Sequence, residues 1–359
     1  MNALTIIILI FSVLGAIDLL IGNKFGLGKE FERGFKLFCP MVLSMAGMIV
    51  LAPAIGVWIS PLLDGFYNLF KIDPSIIPSA ILANDMGGMQ LAQSVAKNTE
   101  IGNYNAFIVS SMMGCVISFT IPFSLGIVKK NQRNELFYGI LCGIATIPIG
   151  CLIGGLILGI SFFAVLLNLL PLIIIGAIII LALVFFKDAS IKCFTAFGVF
   201  IRFLSYIGLI LSIFTFLTKI EIAPYFDTFE NASYICANAC VTLSGALPMM
   251  YVIGKLLNKP LNKLGLKIGI NGDSAVAFLG TLVTNASTFG VMEKMDEKGT
   301  VLNSAFAVSA SFTIGGHLAF TMVFDSAYVL PMIIAKIISG ICALILALLI
   351  YKNNKTPIA

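Results

Sequence analysis

Charge is what this chain has least of. Only 11% of its 359 residues are Asp, Glu, Lys or Arg. An ordinary soluble domain carries about a quarter, and disordered segments are polar and rich in charge, so both classes are excluded. Histidine occurs once, at His317, and no clustered Cys/His spacing accompanies it. A zinc site is therefore not expected, and no cofactor is called for. Stretches between apolar runs are short, about 20 residues at most, which leaves no soluble domain. The first apolar run begins almost at Met1 without a basic leader or a clear cleavage site. It is expected to be a retained helix and not a signal peptide.

What the chain has in abundance is apolar sequence, 59% of all residues. Runs near 20 residues recur from end to end, each able to span the ~30 Å hydrocarbon core. The weak alternation of an outer-membrane barrel is missing. The fold class is therefore an all-α polytopic membrane protein with the lipid bilayer as its main partner. The net charge of +5 sits in short connections, where it reports topology and not nucleic-acid binding. The eight cysteines lie mostly in apolar runs, and Cys236 and Cys240, on one helix face, are expected to be a reduced, packed pair.

Nine spans are predicted, at 3–21, 34–59, 104–128, 136–160, 162–186, 193–218, 232–256, 303–324 and 327–350. Two further segments are apolar but interrupted. Segment 76–96 reads IIPSAILANDMGGMQLAQSVA and carries Asn84, Asp85, Gly87 and Gly88 in its middle. Segment 274–292 reads SAVAFLGTLVTNASTFGVM and carries Thr284, Asn285, Ser287, Thr288 and Gly290. Adjacent glycines weaken a helix and open turns closed to other residues, so both segments are read as broken, with Gly87, Gly88 and Gly290 as hinges. Irregular backbone is tolerated at membrane depth only against protein or a wet cavity.

Lysine and arginine decide how the two segments sit. If all eleven segments cross, basic loop residues divide ten to ten between the two sides. If both return to the side they came from, 17 fall inside: Lys24, Lys29, Arg33, Lys36, Lys129, Lys130, Arg133, Lys187, Lys192, Lys255, Lys259, Lys263, Lys267, Lys294, Lys298, Lys352 and Lys355. Only Lys71, Lys97 and Lys219 stay outside. Cytoplasmic loops carry the basic excess, so two opposed re-entrant hairpins are expected, with the N-terminus outside and the C-terminus cytoplasmic.

Opposed hairpins imply an inverted repeat. Ala106-Phe107-Ile108-Val109-Ser110 resembles Ala305-Phe306-Ala307-Val308-Ser309, each following its broken segment by a similar distance. The expected organisation is a first repeat over 1–161, a connecting helix and loop over 162–192, and a second repeat over 193–359. Broken helices meeting near mid-membrane are a recurrent transporter plan. Gly150, Gly154, Gly155 and Gly159 supply small-residue steps for close helix packing, and Pro122, Pro148 and Pro248 interrupt spans. The 29 phenylalanines are read as packing or lipid-facing residues.

Asp85 is the only acid deep in an apolar segment. Intramembrane acids are costly and mark sites, so it is either a substrate residue or one half of an ion pair with Lys336, itself mid-span. Asp18, near the end of its helix and close to Lys24, is read as a satisfied end residue. His317 in GGHLAF is either a packing residue or part of a relay. Asn84, Thr284, Asn285 and Ser287 offer neutral donors and acceptors for a small polar ligand, or cap half-helices.

LANDMGG at 82–88, SMMG at 111–114, TIPIGCLIGGL at 146–156, MEKMDEKG at 292–299, AFAVSASF at 305–312, GGHLAF at 315–320 and the lysine of PMIIAKIISG at 331–340 complete a pattern. In these motifs, in this order, nearly the whole chain resembles the ethanolamine transport proteins of bacterial ethanolamine-utilisation operons, the EutH family. It departs from the family pattern at Gly316, where an acid can stand, at Asn84, where a cysteine can stand, and in lacking a long polar C-terminal tail. The resemblance implies a bacterial inner-membrane facilitator that admits ethanolamine when the amine is scarce or the medium acidic. Ethanolamine is a primary amine with basicity near that of lysine and is a cation at neutral pH. A carboxylate and the carbonyl ends of broken helices suit an ammonium, whereas an anion would want helix N-termini or arginines. Two rival readings stay open: an ion-coupled carrier for a small carboxylate or amino acid, with Lys336 on the anion, and an intramembrane hydrolase. The latter needs two facing acids or a His/Asp metal cluster. A homo-oligomer is compatible with all of these readings.

Overall fold

A computed structural model describes residues 3–354, and of residues 352–354 the backbone alone. Lys355 and the chain ends, whose sidedness enters the charge count, lie outside the described residues. Among the described residues there is no strand, and eight helices are long and apolar enough to cross a membrane. They are Ala3–Leu20, Leu27–Phe70, Thr99–Ile127, Lys130–Ile157, Phe162–Phe185, Lys187–Thr218, Phe229–Ile268 and Ser326–Tyr351. The protein is thus an all-α polytopic membrane protein.

The helices differ in what they face. Ala3–Leu20 buries 17% of its most apolar stretch and Phe162–Phe185 33%, as expected of helices turned to lipid. Thr99–Ile127 buries 83% and is the central element. Its large side chains Tyr104, Phe107, Ile108, Met112 and Met113 are fully enclosed. This helix is not wound uniformly. Asn105–Gly114 and Val116–Thr120 are π-helical, with bonds one residue longer than in an α-helix. Such widening displaces backbone carbonyls and recurs at functional sites. Gly150 brings the helix Lys130–Ile157 against the carbonyl of Ala335, so the small-residue steps serve close packing.

Three departures from the sequence reading have physical causes. The helix Phe229–Ile268 runs for 40 residues, about 60 Å at 1.5 Å per residue, twice the hydrocarbon thickness. Lys259, Lys263 and Lys267, expected in a loop, therefore lie on its helical extension. Asp18 is satisfied, as expected, but not by Lys24. It is buried and accepts from the backbone N–H groups of Phe25 (2.9 Å), Leu27 (2.7 Å) and Gly28 (2.9 Å), capping the next helix.

The third departure matters most. The span expected at 303–324 is two helices, Glu297–Ala310 and Gly316–Phe324. Between them the backbone leaves the helix and pairs sideways. Phe312 N–H donates to the Thr281 carbonyl at 3.2 Å and Ile314 N–H to the Leu282 carbonyl at 2.8 Å. Gly315 permits this approach, because a Cβ there would overlap the carbonyl oxygen of Val283.

Both interrupted segments are broken hairpins. The first consists of Ile76–Ile81, a 3₁₀ turn at Asn84–Met86, and Gly88–Val95. Asp73 clamps its base, accepting from Ser75 N–H (3.0 Å) with one oxygen and from Lys97 N–H (3.0 Å) and Asn98 N–H (2.8 Å) with the other. The segment therefore ends beside where it began. The second consists of Gly272–Val283 and Asn285–Gly290. Its base is clamped by Asp296, which accepts from Ser274 Oγ at 2.9 Å and Asn271 N–H at 3.3 Å, while Asn271 Nδ2 donates to the Lys294 carbonyl at 2.8 Å.

Because residues 73 and 97 share one clamp, cysteines placed singly at Lys71 and Lys97, in a background without the native eight, should both react with an impermeant maleimide from outside the cell. A cysteine at Lys263 should be protected. Labelling of positions 71 and 97 from opposite faces would sink the first hairpin.

Candidate functional site

The tip of the first hairpin is built from LANDMGG. Leu82 and Ala83 turn extended, and Gly87 closes the turn at φ 81°, a left-handed conformation natural to glycine. The Leu82 carbonyl, freed from its helix, accepts from Ser110 Oγ at 2.6 Å, and Ala83 N–H donates to Ser118 Oγ at 3.1 Å. The tip is thereby pinned to the π-helical stretch of the central helix. Asn84 is fully buried; its Oδ1 accepts from Asp85 N–H at 3.0 Å and its Nδ2 has no partner. Asp85 is 8% exposed, and neither of its carboxylate oxygens accepts a hydrogen bond from another described residue.

Lys336 is 1% exposed and lies mid-helix in Val329–Asn354. An ammonium has donors only. It donates to the Ser111 carbonyl at 2.6 Å, within the π-helical stretch, and to His317 Nδ1 at 3.2 Å. With Nδ1 accepting, the imidazole carries its proton on Nε2, which faces Asp85 Oδ1 at 3.9 Å, too far for a hydrogen bond. Among the described residues Asp85 and Lys336 form no direct ion pair; His317 stands between them. The break at 311–315 starts the helix Gly316–Phe324 and so positions this imidazole.

The second hairpin meets the opposite part of the same core. Asn285 is fully buried, and its Nδ2 donates to Thr120 Oγ1 at 2.8 Å while its Oδ1 has no partner. Thr120 in turn lies 3.8 Å from the thiol of Cys115. Each hairpin tip thus reaches the irregular helix that follows the other: Asp85 approaches His317, and Asn285 bonds Thr120. Thr284 is extended and caps Asn285–Gly290, accepting from Ala286 N–H at 3.2 Å. Ser287 faces away, lining a shallow cleft with Tyr251 and Gly280. Gly290 is helical with open space around it.

The expected site residues therefore divide. Asp85, His317 and Lys336 form one chain of contacts, Asn84 lies at its end, Asn285 belongs to the second tip, and Thr284 and Ser287 point elsewhere. Three participants escaped sequence reading: the Ser111 carbonyl, Thr120 and Phe312. Only the last had a signal, the run of small residues around it in SASFTIGG. A cavity of about 500 Å³ reaches the first tip at Met86 and Ser118 and is lined further out by Phe119, Phe123, Arg202 and Tyr206.

Two clamped, broken hairpins around a buried carboxylate follow a plan that recurs among membrane transporters. Residues 1–350 match the model of the family described as ethanolamine utilisation protein, EutH, and the chain belongs to that family. It is 41% identical over 349 residues to the probable ethanolamine permease EutH of Listeria monocytogenes, covering 97% of this chain and 93% of the relative. It is 34% identical over 354 residues to the protein of that name from Salmonella typhimurium, covering 92% and 86%. A Bacillus subtilis relative, the uncharacterized protein YxeR, is 35% identical over 342 residues, covering 95% and 92%. No solved structure matches.

If the unpartnered Asn285 Oδ1 serves a ligand, Asn285→Leu should raise the apparent KM for ethanolamine more than about tenfold, since a lost polar contact in a dry site costs about 1–3 kcal/mol. Radiolabelled uptake at matched membrane levels checks this. Unchanged KM would make the second tip purely structural.

Proposed function

We propose that the protein carries ethanolamine across the bacterial inner membrane as an ammonium cation, by facilitation and without a coupled ion. Relatives named probable ethanolamine permease support the substrate. The observation that carries the reading is the Asp85 carboxylate: buried at a hairpin tip, next in sequence to Met86, which lines a cavity, and without a hydrogen bond from any other described residue. A buried carboxylate is costly unless paired, and a substrate ammonium supplies the missing charge.

Asp85 is the counter-ion. His317 turns its Nε2–H toward the same carboxylate across 3.9 Å without bonding it. Lys336, held on Ser111 and His317, sets the positive background that limits occupancy to one cation at a time. The two hairpins belong to inverted halves, with the first entering from outside and the second from the cytoplasm, so that both tips approach one site. The 17-to-3 division of basic residues supports this orientation. An inside-negative potential favours cation uptake by ~2.3 kcal/mol per 100 mV, so no second ion is required. The protein route matters most in acid, where each unit drop in pH cuts the lipid-permeant neutral amine about tenfold. A carrier for small anions is disfavoured, because it would need the ammonium of Lys336 free and that group already has two acceptors.

In proteoliposomes with an inside-negative potassium diffusion potential, wild type should accumulate labelled ethanolamine. Asp85→Asn should abolish uptake with the protein still folded, because Asn is nearly isosteric and only the charge is lost. Asp85→Glu should keep part of the rate at lower affinity. Cells dependent on ethanolamine and carrying Asp85→Asn should fail in acidic, low-amine medium and recover as pH rises and neutral amine enters through lipid. Uptake by Asp85→Asn at the wild-type rate would overturn the reading.

A further inference from the structure

Phe312 holds a backbone conformation that its residue type disfavours. Its φ is 60°, in the left-handed region, where a bulky side chain is an outlier. The conformation is enforced from outside. The Phe312 and Ile314 N–H groups are fixed on the Thr281 and Leu282 carbonyls of the second hairpin, and Gly315 lets the two backbones meet. Glycine at 312 would serve that geometry without strain. Strained residues cluster at sites where the surrounding structure over-determines them, and here the strain aims a ring.

The ring is half-buried. It lies edge-on to Phe119, with centroids 5.5 Å apart, and tilted against the His317 imidazole at 5.0 Å. Those contacts fix its angle. The backbone at Gly316 marks the point it shares with the carboxylate: a methyl group built there would stand 3.3 Å from Asp85 Oδ2 and 3.9 Å from Phe312 Cδ1. A cation lodged against Asp85 on this side lies near the Phe312 ring at Cδ1, and a cation within about 6 Å of an aromatic face is attracted by it.

We propose that Phe312 is a substrate-contacting residue, the aromatic wall of the ammonium site, holding the cation against Asp85 by a cation–π contact. The inference rests on the proposed role of Asp85. The carboxylate supplies charge and accepts the ammonium hydrogens, while the ring supplies attraction without a competing hydrogen bond. A small primary ammonium uses both, and a neutral alcohol of the same size uses neither to advantage. The break in the helix Glu297–Phe324 region then has two purposes: it orients His317, and it turns Phe312 toward the carboxylate.

The test is uptake and binding of labelled ethanolamine by the reconstituted full chain. Phe312→Leu should raise KM about tenfold, and Phe312→Tyr should stay within about threefold of wild type. Phe312→Gly, which relieves the backbone strain, should raise KM as far as Phe312→Leu while its thermal midpoint is unchanged or higher. Wild-type KM in well-folded Leu and Gly variants would overturn the proposal. Should either variant misfold, mono-, di- and trifluorophenylalanine incorporated at 312 keep the shape and weaken the π-face stepwise. Affinity falling with each fluorine supports the contact, and a flat series overturns it. The underlying reading fails separately, through wild type that takes up no ethanolamine or Asp85→Asn that takes it up normally. Uptake lost in Asp85→Asn but indifferent to fluorination sinks this inference alone.

Discussion

Everything in the core follows from the need to keep a carboxylate, an imidazole and an ammonium inside a chain that is otherwise apolar. Lys336 is 1% exposed and must have acceptors. One acceptor, the Ser111 carbonyl, lies in the π-helical stretch Asn105–Gly114, and the break before Gly316 brings the other, His317 Nδ1. Two irregularities thus satisfy one cation. Asp85 receives no such settlement, since His317 Nε2 stops 3.9 Å short of it. On the proposed reading, this asymmetry between the two charged groups is what makes the site receptive to a further positive charge.

The hairpins carry this core at their tips because their bases are fixed. Asp73 gathers backbone donors from both ends of the first segment, and Asp296, just past the end of the second, accepts from Asn271 N–H and Ser274 Oγ at its start. A clamp at the base leaves the tip free to be irregular, provided protein covers it. The central helix does so on one side, through Ser110 and Ser118 on the first tip and Thr120 on the second. The stretch 311–315 does so on the other. These paired roles of the two broken regions fit the inverted halves proposed above.

Much of this plan was legible in the letters. The spans follow from apolar runs, and the double glycine beside Asp85 marked the first tip. The 17-to-3 count of basic residues argued for segments that return, and the clamps at Asp73 and Asp296 close both hairpins. What escaped is what depends on backbone detail. The span at 303–324 looked continuous because SASFTIGG contains no proline and no charge, and its break is imposed by pairing with Thr281 and Leu282. The length of Phe229–Ile268 was hidden because a polar, lysine-rich helix outside a membrane reads like a loop. The Ser111 carbonyl has no letter of its own. Phe312 carried only the faint signal of the small residues around it, and what sets it apart from the 28 other phenylalanines is a dihedral angle.

The central claim is that Asp85 answers the charge of the substrate and not that of Lys336. The double variant Asp85→Asn with Lys336→Met decides between them, because it removes both charges and leaves neither buried alone. The measurement is the initial uptake rate of labelled ethanolamine in acid medium, at membrane levels matched to wild type. The account predicts that uptake stays absent, since the ammonium has lost its counter-ion. Recovery of uptake toward the wild-type rate would mean that Asp85 only balances Lys336, and would contradict it.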